Sequence, residues 1–143
     1  MVNAYFLYKI MNWFYRKKIP LIPKLIKLVC FILYNSSIPY ECELGKGTRF
    51  GYGGIGVVLH KRVIIGNNCM IGSNVTVGGK SGHYEVPVIG NHVYLATGSK
   101  ILGPISIGNN VSVGANAVVI KSVPDNAIVA GVPAKILSYK TNE

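Results

Sequence analysis

The sequence predicts an all-β fold, a parallel β-helix of hexapeptide repeats preceded by a short helical segment. Three observations lead there. Aliphatic residues recur every six positions at Ile65, Ile71 and Val77, and again at Ile89, Leu95, Ile101, Ile107, Val113 and Val119. Glycine follows Ile65, Ile71, Val77, Ile89, Ile107 and Val113, which is the [LIV]-G-x-x-x-x signature of stacked β-coils. All 17 glycines fall between Gly45 and Gly131, so residues 1–44 obey a different grammar.

Taken in order, residues 1–43 form an N-terminal helical segment. "NAYFLYKIMNWFYRKK" and "KLIKLVCFILYN" read as two helices separated by a turn around Pro20 and Pro23. The segment 21–34 is the most apolar, but it has 14 residues and contains Lys24 and Lys27. A membrane span needs roughly 20 apolar residues. No secretory leader is expected, because residues 1–19 lack a basic start, a clean apolar run and a small-residue cleavage site. Lys9, Arg16, Lys17, Lys18, Lys24 and Lys27 give residues 1–35 a charge of +6, with no acid. Two readings stand: the helices cap the open end of the solenoid with their lysines solvated, or they make a peripheral contact with a membrane surface.

Residues 44–137 form the β-helix. Three hexads make one triangular coil, and each aliphatic residue points inward to a continuous apolar column. Asn67, Asn68, Asn109 and Asn110 occupy corner slots where the backbone turns sharply. The period breaks twice. Phe50 to Ile65 spans three residues more than two hexads, and "GGKSGHYEVPV" between Val77 and Ile89 reads as a loop thrown out of the coil. Loops on rigid scaffolds commonly carry function. Residues 138–143 are a tail.

Composition narrows the function classes. Half of the residues are hydrophobic and 14% are charged, which points to an oligomer or a membrane contact. The net charge of +10 suits a polyanionic partner such as a phosphate-rich cosubstrate. The basic residues are spread from Lys9 to Lys140 with no base-reading motif, so no nucleic-acid partner is expected. Three scattered cysteines (Cys30, Cys42, Cys69) make no disulfide framework and suit a reducing compartment. The three histidines are separated and no acidic cluster joins them, so no metal is expected.

The motifs "NVTVGG", "GKSGH", "PVIGNHVY", "GSKILGPISIGNNVSVGANAVV" and "VPDNAIVAGVPAKIL" together resemble the hexapeptide-repeat acyltransferases of the serine O-acetyltransferase-like branch, and are similar to members associated with polysaccharide synthesis. The resemblance covers residues 36–137. It implies a left-handed coil, a homotrimer, a cytoplasmic location (at the inner face of the membrane if the helices bind there) and acetyl-CoA as cosubstrate, with no permanently bound cofactor. The acetyl group would pass to a small hydroxyl acceptor, serine or a surface-polysaccharide sugar. By the same resemblance Gly78 and Gly79 flank the pantetheine arm, Ser99, Lys100 and Ala115 line the cosubstrate groove, and Lys121, Ala134 and Lys135 lie near its phosphates.

The acceptor side departs from the family pattern. The general base is expected at position 52, where this chain has Tyr52 in "GYGG". The carboxylate that orients the base is expected at position 37, where it has Ser37 in "SIP". A hydroxyl is a poor nucleophile until a base takes its proton, and a phenol is a weak base at neutral pH. His83, on the loop, and His60, after the phase slip, are therefore candidate catalytic residues beside Tyr52, which would position a hydroxyl or stack on a sugar. His92 takes a corner slot usually held by Asn or Asp. Three readings stay open: another histidine serves as base, the acceptor site is altered, or the chain is a non-catalytic or regulatory trimer.

Overall fold

The computed structural model describes residues 3–141. Helix α1 (Ala4–Arg16) starts at Asn3, whose side chain accepts a hydrogen bond from the Tyr5 amide at 2.9 Å, an N-cap of the usual kind. Helix α2 (Leu21–Tyr34) carries Pro23 in its first turn, where no helical N–H is lost, and ends at Asn35 in the left-handed conformation. Helix α1 buries Ala4, Tyr8 and Met11, one face at helical spacing, against the first coil. Tyr8 fixes the contact. Its hydroxyl donates to the Cys42 carbonyl at 2.6 Å and accepts from the Leu44 amide at 3.3 Å. The approach is close: a Cβ on Gly54 would lie 2.8 Å from that of Ala4, at a φ of +97°. Glycine meets both demands.

The remainder is a left-handed parallel β-helix with three sheets. The first contains β1 (Glu43–Leu44), β4 (Ile64–Ile65), β7 (Val88–Ile89) and β10 (Ser106–Ile107). The second contains β2 (Arg49–Phe50), β5 (Met70–Ile71), β8 (Tyr94–Leu95), β11 (Ser112–Val113), β13 (Ala127–Gly131) and β14 (Ala134–Tyr139). The third contains β3 (Val58–Leu59), β6 (Thr76–Gly78), β9 (Lys100–Leu102) and β12 (Val118–Val119). Every pairing is parallel except β13 with β14, an antiparallel hairpin at the C-terminal end. Strand β14 runs to Tyr139, so the expected boundary at residue 137 falls inside it.

All nine aliphatic residues of the six-residue period point inward, none more than 2% exposed. Each such side chain contributes about 1.5–3 kcal/mol on burial. A second inner row lies two residues before the first, with Val63, Cys69, Val75, Val93, Val111 and Ala117. The corners are closed by side chains that reach one coil down. Asn67 Oδ1 accepts from the Lys46 amide, Asn91 from Asn67, Asn109 from Asn91 and Asp125 from Asn109, all at 2.7–2.9 Å. Asn68, Asn74, Asn110, Asn116, Asn126 and His92 all sit at φ between 55° and 64°. Asparagine tolerates that region better than other side chains; His92 holds such a slot, as its position predicted.

Strand registers locate the two breaks in the period. Tyr94 pairs with Ser112 and Lys100 with Val118, one 18-residue coil apart. Arg49 pairs with Met70, three residues more, because a 3₁₀ turn (Gly51–Gly54) is inserted between β2 and β3. Thr76 pairs with Lys100, six residues more, because the loop 79–87 is inserted after β6.

Candidate active site

The two insertions lie at different corners of the triangle. Residues 55, 73, 97 and 115 stack at the corner joining the second and third sheets. The Asn74 amide donates to Ile55, that of Gly98 to Ser73, and that of Asn116 to Thr97. The 3₁₀ turn bearing Tyr52 leads into this corner, and Ala115 sits two coils above Ser73. Gly131 and Ala134, paired across the final hairpin, lie above Ala115, with Lys135 next along β14. The other corner joins the third sheet to the first. There the His60 amide donates to Val77, Gly78 pairs with Leu102, and the Gly103 amide donates to Gly78. His60, Gly78, Leu102 and Ile120 thus form successive rungs, with Lys121 beside the last.

The loop 79–87 opens from this second corner. Val86 and Pro87 turn inward, and a Cβ on Gly79 would lie 3.3 Å from Val86, so the absence of a side chain lets the loop close on itself. With Lys80, Leu102, Gly103, Pro104, Ile105 and Ile120, Gly79 and His83 line a cleft of about 600 Å³. His83 is exposed, and its ring makes no hydrogen bond among the described residues, so both nitrogens are free to meet a ligand.

His60 is held differently. Its Nδ1 accepts a hydrogen bond from the Arg62 amide at 3.1 Å. A backbone N–H can only donate, so the neutral ring carries its proton on Nε2. Burial, then the charges of Arg62 and Lys61, lower its pKa. In this geometry His60 is a neutral N–H donor without a free basic nitrogen. Arg62 also reaches the loop. Its guanidinium lies 4.0 Å from the centre of the Tyr84 ring and donates to the Tyr84 carbonyl at 2.6 Å. One residue therefore ties the His60 turn to the strap carrying His83. Nothing in the sequence marked Arg62; only the pairing of the coils brings it under Tyr84.

Other expected residues are spread between these places. Ser37 heads the third sheet, bridging to Val58, and exchanges backbone hydrogen bonds with Val57 and Leu59. Lys100 lies on the outer face of the third sheet, and its Nζ donates to the Asn74 carbonyl at 2.6 Å. Ser99 is buried in the second inner row; its backbone N–H and C=O are engaged within the coils, and its hydroxyl has no hydrogen-bond partner among the described residues. Tyr52, 76% exposed, does not share a corner with His83 within one chain. An edge of the triangle separates them, roughly 15–20 Å at strand rise. Tyr52 also sits at φ 50°, ψ 38°, a left-handed conformation that costs a bulky residue about 1–2 kcal/mol.

The thiols take no part in this arrangement. Cys30, Cys42 and Cys69 are free and buried, and burial raises all three pKa values, that of Cys42 to about 12. Among the described residues no group of His, Cys, Asp and Glu is placed to hold a metal ion.

Known proteins agree with this architecture. The profile of the bacterial transferase hexapeptide (six repeats) matches residues 87–121. The chain is 34% identical over 132 residues to a serine acetyltransferase of Synechococcus elongatus, covering 91% of this chain and 54% of that protein. It is 42% identical over 100 residues to a serine acetyltransferase of Staphylococcus epidermidis, covering 68% and 46%. A serine acetyltransferase of Brucella abortus solved in complex with coenzyme A superposes with a TM-score of 0.91 at 28% identity, covering 98% of this chain and 56% of that one. The chain thus spans about half the length of these relatives. With its six-residue column and left-handed coils, it carries the bacterial transferase hexapeptide repeat and is similar in sequence and fold to the serine acetyltransferases.

Proposed function

We propose that the chain is a CoA-dependent O-acetyltransferase that moves an acetyl group from acetyl-CoA to the hydroxyl of serine. The observation that carries this reading is the cleft where His83 faces Gly79 and Leu102, on a fold shared with a coenzyme A-bound serine acetyltransferase. His83 takes the proton from the serine Oγ as that oxygen attacks the thioester carbonyl. The carbon–sulfur bond breaks, CoA leaves as the thiolate, and the imidazolium returns the proton to sulfur. His60, a fixed N–H donor, suits hydrogen bonding to an oxygen rather than proton abstraction. The relatives' names favour serine over a polysaccharide sugar and lend no support to a non-catalytic reading.

The separation of the two corners favours a homotrimer with its site between subunits. The His83 corner of one chain would then face the Tyr52 corner of the next, with Ala115, Ala134 and Lys135. Tyr52 would act there as a positioning residue for the acceptor, and Lys121 and Lys135 would meet the CoA phosphates. The test is thiol release from acetyl-CoA with L-serine and with free hexoses as acceptors. Serine should raise release well above the acceptor-free rate. Equal rates with and without every acceptor would refute the reading.

A further inference from the structure

The outer side of α2 has no partner among the described residues, although its inner side, with Pro23, Cys30 and Tyr34, is buried. Leu21, Leu25, Leu28, Val29 and Ile32 follow one another at spacings of four, three, one and three, a single stripe along the helix. Their exposures run from 42% to 70%. Helices of water-soluble surfaces carry polar residues there, and a contiguous apolar patch of this kind marks an interaction surface.

Charge identifies the partner. Lys24 and Lys27 border the stripe, and residues 1–40 contain six cations and no acid. Helix α1 adds exposed Phe6 and Trp13, with Lys17 Nζ 5.7 Å from the Trp13 ring. The partner must offer apolar volume and negative charge over a broad area, with no defined hydrogen-bond pattern. A second α2 offers the first without the second, since two copies would face their lysines towards each other. A bilayer with anionic headgroups offers both.

We propose that this helix pair docks flat on an anionic lipid surface, with the α2 stripe in the headgroup–acyl boundary and the lysines at the phosphates. The 14 residues of α2 reach about 21 Å, short of the ~30 Å hydrocarbon core, so the helix lies in the plane. Beside the stripe, a groove of about 280 Å³ runs between Leu28, Phe31 and Ser37. Docking would bring the Ser37 end of the third sheet towards the membrane. The inference does not depend on the acetyl-transfer reading.

Co-sedimentation of the full chain with vesicles of phosphatidylglycerol and phosphatidylcholine, against phosphatidylcholine alone, tests it. Binding should be at least on the order of tenfold tighter to the anionic vesicles and weaken with added salt. Lys24→Gln with Lys27→Gln should reduce it by about tenfold or more. Leu25→Gln, Leu28→Gln and Ile32→Gln together should abolish it while leaving the oligomeric state in vesicle-free solution unchanged. Absent or equal binding to both vesicles overturns the proposal. So does a drop in oligomeric state in the triple variant, which would assign the stripe to contacts between copies.

Discussion

The upper coils and the lower coils of this β-helix are built to different rules. From β7 to β12 each coil takes 18 residues and returns every strand to register. Below them, three residues are inserted before β3 and six after β6. The regular coils hold their shape through an inner column of fully buried aliphatic side chains. The insertions hold the exposed His83 and the left-handed Tyr52, and Tyr84 of the inserted loop stacks on Arg62 of the turn after β3. Regularity supplies rigidity, and the departures from it supply chemistry placed on that rigid wall.

This contrast is most directly broken inside the column. Ile101→Ala removes a fully buried side chain between Val77 and Val119 and should cost about 2–5 kcal/mol in urea unfolding. At the capped end, Tyr8→Phe leaves the Cys42 carbonyl and the Leu44 amide without their partner. It should cost about 1–3 kcal/mol by the same measurement. In the insertion the sign reverses. Tyr52→Asn relieves a left-handed backbone and should raise stability by about 1 kcal/mol while lowering acetyl transfer.

The smallest expected effect is on pH dependence. Burial, Arg62 and Lys61 hold the folded-state pKa of His60 below its ordinary 6.5. As pH falls, the unfolded chain takes up this proton first. The folded state therefore loses stability from about the unfolded value down to the lower folded one, and loses nothing on this account above it. His60→Gln should flatten the slope of stability against pH in that acidic window and leave the neutral range unchanged.

The column was legible because a solenoid writes its contacts into a fixed period. Ile65 and Val119 obey the same rule although their coils are far apart in sequence. The second inner row repeats at six as well, from Val63 to Val75, so its signal was present beside the stronger one. Asn68, Asn110 and His92 were legible from the demand for positive φ, whereas Asn67 and Asn109 hold their corners through side-chain hydrogen bonds to the next coil. The site was legible only in part. Sequence placed Tyr52, His60 and His83 in irregular stretches, but a linear pattern does not say which corner each irregularity occupies. It also could not show that Ser99 continues the inner row, since a serine among small residues reads equally well as a turn. Arg62 carries no periodic signal at all, and its roles towards His60 and Tyr84 arise from the fold.

In the proposed reaction the base sits on the inserted loop and not in the coil wall. Serine-dependent thiol release from acetyl-CoA, measured side by side for the unaltered chain, His83→Ala and His60→Gln, tests it most directly. Serine should drive release by the unaltered chain, His83→Ala should lose about 10²–10⁴-fold at unchanged thermal stability, and His60→Gln, whose amide still donates, should keep substantial activity. Full activity in His83→Ala, or its loss in His60→Gln alone, would place the base elsewhere.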